Sequence, residues 1–303
     1  MSYITENFEA VRKDARSRYY VRPKRIVWFT QGCGKISQHN NLLADDLHIC
    51  KITPAKDLPP AILLDYGSEF NGAVQIYLAN PSPKPMLKVR VRFGESVSEA
   101  MGEPNNDHSI HDFTAEISAM GKHEFGNTGF RFVRIDFLEC EDTVDVAAIE
   151  LVAIEADYEY KGEFQCSDER LNNIWKIGAR TVHLCCQDYI FDGIKRDRLL
   201  WVGDLHPQIN VISNVFGDVD IVEKTLTRAA QTTPSNEWMN GFSTYSLWWI
   251  VCLYDRYLYT GNKTFLQSQE QYLKDLVDNI ISYVDDNGND CLLYTSPSPR
   301  DRT

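Results

Sequence analysis

Asp192-Gly-Ile-Lys-Arg-Asp197-Arg-Leu-Leu-Trp201-Val-Gly-Asp204 packs carboxylates, cations, a tryptophan and two glycines into one short stretch. Helix-like sequence ends near Gln187 before it and resumes near Leu205 after it. The stretch therefore reads as a loop between two helices, with carboxylates at its start, middle and end. Such parts suit the cleavage of a sugar: a carboxylic acid protonates a leaving oxygen, other carboxylates hold hydroxyls, and an aromatic face receives the ring. They equally suit an ion-paired helix connection with Asp197 held between Arg196 and Arg198, since structural ion pairs also gather charge. Taken alone, the residues leave both readings open.

Downstream of the loop the sequence is helical. Apolar spacing predicts helices at about 205–216, 218–231, 243–259 and 264–284, with Thr260-Gly261-Asn262 as a stop and restart. A further helix precedes the loop. Ser167, Asp168 and Glu169 supply its cap and acidic first turn, and Leu171, Ile174, Trp175, Gly178 and Val182 mark its apolar face. Successive helices joined by short turns predict stacked helical hairpins.

Upstream of about residue 160 the pattern changes to β. Apolar and basic residues alternate strictly in Leu87-Lys-Val89-Arg-Val91-Arg-Phe93, as in a sheet with one face in water. Val74–Leu78 alternates too, and Pro81-Ser-Pro83-Lys-Pro85 separates the two runs. Segments 26–29, 61–64, 130–137 and 146–154 add further candidate strands. Many short strands with no strong helix between them predict a β-sandwich. The expected organisation is a β-sandwich over 1–160 followed by helical hairpins over 161–290.

With Arg196 as a neighbour of Asp197, the pattern Asp192-x4-Asp197-Arg198-x2-Trp201-x-Gly203-Asp204 resembles the active-site signature of bacterial α-L-rhamnosidases, glycoside hydrolase family 78. The family pattern is Asp-Cys-Pro-x-Arg-Glu-Arg-x-Gly-Trp-x-Gly-Asp. Asp65-Tyr-Gly67-Ser-Glu69-x-x-Gly72, Arg92–Ser96 and Phe125–Arg134 look like the β-sandwich that precedes the family's barrel. Tyr245–Trp249 and Tyr257–Gly261 look like a later barrel hairpin. The resemblance implies the first part of an (α/α)6 six-hairpin barrel, truncated, and an inverting hydrolysis of terminal α-L-rhamnosides. It places Asp197 as general acid, Asp192 and Asp204 on the sugar hydroxyls, Arg196 beside the substrate, and Trp201 along the pocket. The family's base is a Glu in a later barrel loop. Glu237, before Trp238, is a further candidate for lining the site.

This chain departs from the pattern where Gly193-Ile194 replaces Cys-Pro, Leu200 replaces Gly, and Asp197 replaces the acid Glu. Those changes keep alternatives open: a six-hairpin glycosidase for another deoxy-sugar or a uronic acid, or a non-catalytic carbohydrate-binding protein.

The 303 residues are 43% hydrophobic and 24% charged, with a net charge of −12, as in a soluble globular protein. No basic stripe suggests nucleic acid, and no apolar run approaches membrane-spanning length. No secretory leader is recognisable in Met1–Ala10, so a cytoplasmic location is expected. Eight cysteines show no repeated spacing and read as free thiols. His108-Ser-Ile-His111 offers metal ligands without a closed set, and no phosphate loop or nucleophile elbow occurs, so neither metal nor cofactor is expected. The expected partner is a carbohydrate. Cys291-Leu-Leu-Tyr-Thr-Ser-Pro-Ser-Pro-Arg-Asp301 closely resembles the translation of a sequencing-library adaptor. Residues 291–303 are accordingly expected to be a non-native tail that packs on nothing, and the piece ending near Asp290 to be inactive by itself.

Overall fold

The computed structural model describes residues 14–32, 36–46, 48–53, 58–80, 86–103, 112–139 and 142–285. The expectations for Pro81–Pro85, for His108 and His111, and for 291–303 lie outside the described residues. The chain forms two compact units: Met1–Asp157 with Gly193–Asp197, and Tyr158–Asp192 with Arg198–Thr303.

The first unit is an antiparallel β-sandwich. Its strands are β1 (Arg16–Val21), β2 (Arg25–Phe29), β3 (Ile36–Ser37), β4 (Cys50–Ile52), β5 (Ala61–Ala79), β6 (Leu87–Gly94), β7 (Asp112–Ile117), β8 (Met120–Glu139) and β9 (Val144–Ala156). A one-and-a-half-turn helix, α1 (Val97–Met101), follows β6. The two segments read as separate strands at 61–64 and 74–78 are parts of the single long β5. It pairs with β8 along its length, with register shifts between Asp65 and Phe70 and between Gly72 and Ala73. Before the shifts its other edge takes β2, and after them it takes β9. The irregularity thus carries one strand from layer to layer, as bulges do at sheet corners. Ile62, Leu64, Val74, Ile76, Val91 and Phe93 point into the common core.

Alternation along β6 holds on its core face, but the opposite face is not simply wet. Arg92 is only 2% exposed, reaching Asp136 at 3.1 Å and the Gly102 carbonyl at 3.1 Å. Leu63, Ala100 and Phe132 form a second apolar cluster on that outer face under α1. A buried charge needs such partners because an unpaired one is strongly penalised.

At the bend of β5, Asp65 accepts from Arg131 at 2.8 and 2.9 Å, from Arg25 at 2.8 Å, and from the Gly67 N–H at 2.7 Å. Burial works to raise its pKa, but Arg131, the Gly67 amide and Arg25 outweigh it and bring it down to about 2. A depressed carboxylate stabilises the fold above its unfolded pKa and loses that contribution as pH falls through the folded one. Asp65→Asn is expected to lower stability at pH 7 by about 2–3 kcal/mol. It should also flatten the stability curve between about pH 4 and pH 2. Urea titrations across that range check both.

The second unit is helical: α2 (Glu169–Cys185), α3 (Leu205–Val215), α4 (Ile221–Thr232), α5 (Ser243–Thr260), α6 (Lys263–Ser268) and α7 (Glu270–Ile281). Neighbouring helices pack as α2 on α3, α3 on α5, α4 on α5, and α6 on α7. Asp168, not Ser167, caps α2 by accepting from Arg170 N–H. The helix expected over 264–284 is broken at Gln269 into α6 and α7. The apolar face assigned to α2 is also only partly inward. Ala179, Val182 and Leu184 are buried, whereas Leu171, Ile174 and Ile177 are exposed, as are Trp248, Val251, Tyr254 and Leu258 on α5.

Inside this unit, buried Arg256 pairs with Asp218 and Glu223, and Trp249 donates Nε1–H to the Leu226 carbonyl at 3.0 Å. Among the described residues, Cys50, Cys166, Cys185, Cys186 and Cys252 are free thiols, and burial pushes Cys50 and Cys252 up to about 12. No described helix is long and apolar enough to cross a membrane.

Candidate active site

The loop after α2 is pinched at its base and divided in its middle. Asp192 N–H donates to the Leu199 carbonyl at 3.0 Å, and Leu199 N–H donates back to Asp192 Oδ1 at 2.8 Å. One carboxylate oxygen of Asp192 therefore closes the loop. Arg198–Asp204 stays with the helical unit, while Gly193–Asp197 belongs to the β unit.

In the helical unit, the chain past the pinch is clamped by Asn240. Its Oδ1 accepts from Val202 N–H at 3.0 Å and its Nδ2 donates to the Leu200 carbonyl at 3.0 Å. Asn240 itself is left-handed, at φ 54°, a conformation Asn tolerates better than most residues. The clamp presents Trp201 edge-on to Tyr245, with ring centroids 6.1 Å apart at 89°, and 6.4 Å from Phe242. Phe242 and Tyr245 lie 5.0 Å apart. The three rings make an aromatic cluster of the kind that receives the apolar face of a ligand. Asp204 is exposed beside it, and burial first and Asp204 second raise the pKa of Tyr245.

Gly203 fits this cluster because it has no side chain: a Cβ there would fall 2.3 Å from the Tyr245 ring. Gly203→Ala is expected to push Tyr245 off Trp201 and cost about 1–3 kcal/mol. Loss of near-UV circular dichroism from the aromatic cluster, together with a lowered denaturation midpoint, checks this.

Glu237 sits in an exposed turn closed by its N–H on the Pro234 carbonyl at 2.9 Å. His206 Nε2 lies 3.1 Å from the Asp255 carboxylate, and its ring sits tilted, 4.9 Å from that of Trp248. A separate pocket of about 280 Å³ is lined by Tyr189, Arg198, Leu199, Arg228, Thr232 and Asn240.

In the β unit, the Asp197 carboxylate is 38% exposed, 3.9 Å from Arg196 Nε, whose side chain points largely to solvent. Asp197 and Arg198 both have φ of 56°. Consecutive non-glycine residues in this region store on the order of 1–2 kcal/mol each, and such strain concentrates at functional sites. The loop therefore holds an accessible carboxylate on a costly backbone. Among the described residues, no group of three or more His, Cys, Asp or Glu could hold a metal ion.

The structure thus places Asp192, Trp201, Asp204 and Glu237 in the helical unit, and Arg196 and Asp197 in the β unit. Sequence reasoning missed Asn240, Phe242 and Lys195. The Asn240-Gly241 dipeptide signals a turn, but nothing local signals that its amide grips a loop dozens of residues earlier.

Residues 159–295 match the family described as the bacterial alpha-L-rhamnosidase six-hairpin glycosidase domain. Among solved structures, a rhamnosidase from Klebsiella oxytoca with rhamnose bound aligns at a TM-score of 0.71 and 18% identity. That alignment covers 93% of this chain and 60% of the Klebsiella one. A family 78 rhamnosidase of Bacillus sp. GL1 aligns at 0.70 and 22% identity, over 81% of this chain and 26% of its own. An α-L-rhamnosidase from Dictyoglomus thermophilum aligns at 0.57 and 21%, over 78% and 29%. At these identities the likeness is one of fold, and the chain spans only part of each relative. No curated protein matches.

Proposed function

We propose, from the match of residues 159–295 to the six-hairpin glycosidase domain of bacterial α-L-rhamnosidases, that the complete protein hydrolyses terminal α-L-rhamnosides with inversion. The observation that carries this reading is the exposed Asp197 carboxylate on its left-handed backbone, inside the loop that resembles the family's active-site signature. Asp197 gives its proton to the glycosidic oxygen as the bond to the anomeric carbon breaks. A base takes a proton from water, whose oxygen attacks the opposite face of the ring, and the released sugar has the inverted anomeric configuration. The resemblance assigns that base to a later barrel loop. Trp201, with Tyr245 and Phe242, supports the sugar ring, and Asp192 and Asp204 hold hydroxyls. Arg196 and Glu237 are further polar side chains assigned to the substrate. The exposed apolar faces of α2 and α5 suit further barrel helices packing on them.

A second reading, cleavage of a uronic acid glycoside, draws on the pocket flanked by Arg198 and Arg228, since guanidinium groups recognise carboxylates. Incubating the full-length protein with an aryl α-L-rhamnoside and, in parallel, with an aryl uronide, and following the first-released anomer by NMR, separates these readings. The inverted anomer is expected. The retained anomer overturns the inverting mechanism, and turnover of an aryl uronide alone favours the second reading.

A further inference from the structure

The five residues Gly193–Asp197 leave the helical unit and pack within the β unit. Ile194 is 6% exposed and lies so close to Gly129 that a Cβ on that glycine would come within 2.5 Å of Ile194 Cγ1. Lys195 is 4% exposed. Its Nζ donates to the Phe93 carbonyl at 2.9 Å and pairs with Glu99 Oε1 at 2.8 Å. Glu99 is held in turn: its Oε2 accepts from Glu95 N–H at 2.7 Å, and its own N–H donates to Ser96 Oγ at 3.2 Å. Glu69, from the bend of β5, hydrogen-bonds Glu95, and its carboxyl is pushed up to about 7. Burial is the main cause, followed by the Glu95 hydrogen bond and charge, while Lys195 pulls the other way and Glu99 adds to the rise. Among the described residues, Glu99 pairs with the Lys195 ammonium, Glu69 senses its charge, and Glu95 bonds to both glutamates.

A buried ammonium is costly unless fully paired, and this one lies two residues before Asp197. We propose that Lys195 is a positioning residue for the general acid, its buried ammonium anchoring the loop tip to the Phe93 carbonyl and Glu99 so that the Asp197 carboxyl is held where the leaving oxygen arrives. The proposal rests on the reading of Asp197 as the acid. Left-handed backbone at both Asp197 and Arg198 persists only where its surroundings over-determine it. Lys195 and Ile194 hold the tip within the β unit, and the Asp192–Leu199 pinch closes the loop within the helical unit. Two residues of chain span no more than about 7 Å, so a fixed Lys195 leaves Asp197 little freedom. Displacement of a catalytic group by about 1 Å costs on the order of 10²-fold in rate.

The test uses Lys195→Met in the full-length enzyme, with Asp197→Asn beside it. On a rhamnoside with a poor leaving group, kcat is expected to fall on the order of 10²-fold with KM little changed. On an activated aryl rhamnoside it should fall only a few-fold. NMR titration of the Glu69 carboxyl in Lys195→Met should move upward, because the cation that lowers it is gone; this reads the anchor without any substrate. Should Lys195→Met not fold, Glu99→Gln removes the ionic partner and carries the same kinetic readout, while the Glu69 titration should then move downward, because the Glu99 charge adds to its rise. If Asp197→Asn shows the selective loss but Lys195→Met falls equally on both substrates, or not at all, the positioning role is overturned and the acid stands. If Asp197→Asn loses nothing on either substrate, the acid reading fails and the positioning role falls with it, whatever the Glu69 titration shows.

Discussion

On the proposed reading of Asp197 as general acid, Asp197→Asn in the full-length protein is expected to lower the rate on rhamnosides with poor leaving groups by about 10²–10⁴-fold, the usual contribution of such an acid. The substitution preserves shape and removes only the transferable proton. Activated aryl rhamnosides depart with little protonation, so their loss should be much smaller. A plot of log kcat against leaving-group pKa should therefore steepen in the variant. The exposed carboxylate has room for a longer side chain, with its nearest cation 3.9 Å away. Asp197→Glu, which restores the residue type of the family signature, is thus expected to keep or raise activity. Equal activity of the Asn variant on both substrate classes would return Asp197 to a structural ion pair with Arg196.

Arg256→Ala should unfold the helical unit more readily than any surface change. Arg256 is 2% exposed and contacts Glu223 through Nε at 3.2 Å and Nη2 at 3.1 Å, as well as Asp218. Asp218 is 69% exposed and contributes little, whereas Glu223 is 23% exposed and would be left with Asn262 as its remaining partner. Removing one member of a buried pair typically costs about 3–5 kcal/mol, mostly the penalty on the charge left behind. For a domain of this size that is a fall in Tm on the order of 10 °C. Adding Glu223→Gln to Arg256→Ala should recover part of the loss, because the abandoned charge is then gone. A double mutant no more stable than Arg256→Ala would show that packing of the arginine stem, not charge, sets the cost.

How much of this could be read in advance differs by residue. Alternation from Leu87 to Phe93 correctly marks a strand, because period 2 is a local property of the backbone. It could not show that Arg92 is buried, since that depends on Asp136 and on a helix that folds back over the strand. The strand β5 looked like two, because its alternation is interrupted where it changes layers around Gly67 and Gly72. Spacing found α2 but misjudged its inward face, which is set by neighbours: Asn172 and His183 are buried there while Ile174 and Ile177 are not. In the signature loop the residue types were legible, but its division between the two units was not. Contacts such as Lys195 with Phe93 join distant parts of the chain and leave no periodic trace.

The bed for the loop tip is made long before the tip itself. Lys195 leaves the ribosome 102 residues after Phe93, an interval of roughly 5–20 s at common rates of synthesis. The sandwich, with its two layers already paired, can be in place to receive the later segment as it emerges. Recombination between relatives meets the same arrangement. A chimera joined only at 157/158 would set a foreign tip on the native sheet, with Ile194 facing the wrong glycine and Lys195 the wrong glutamate. A workable exchange of the sandwich has to take residues 193–197 along, with crossovers at 192/193 and 197/198 as well.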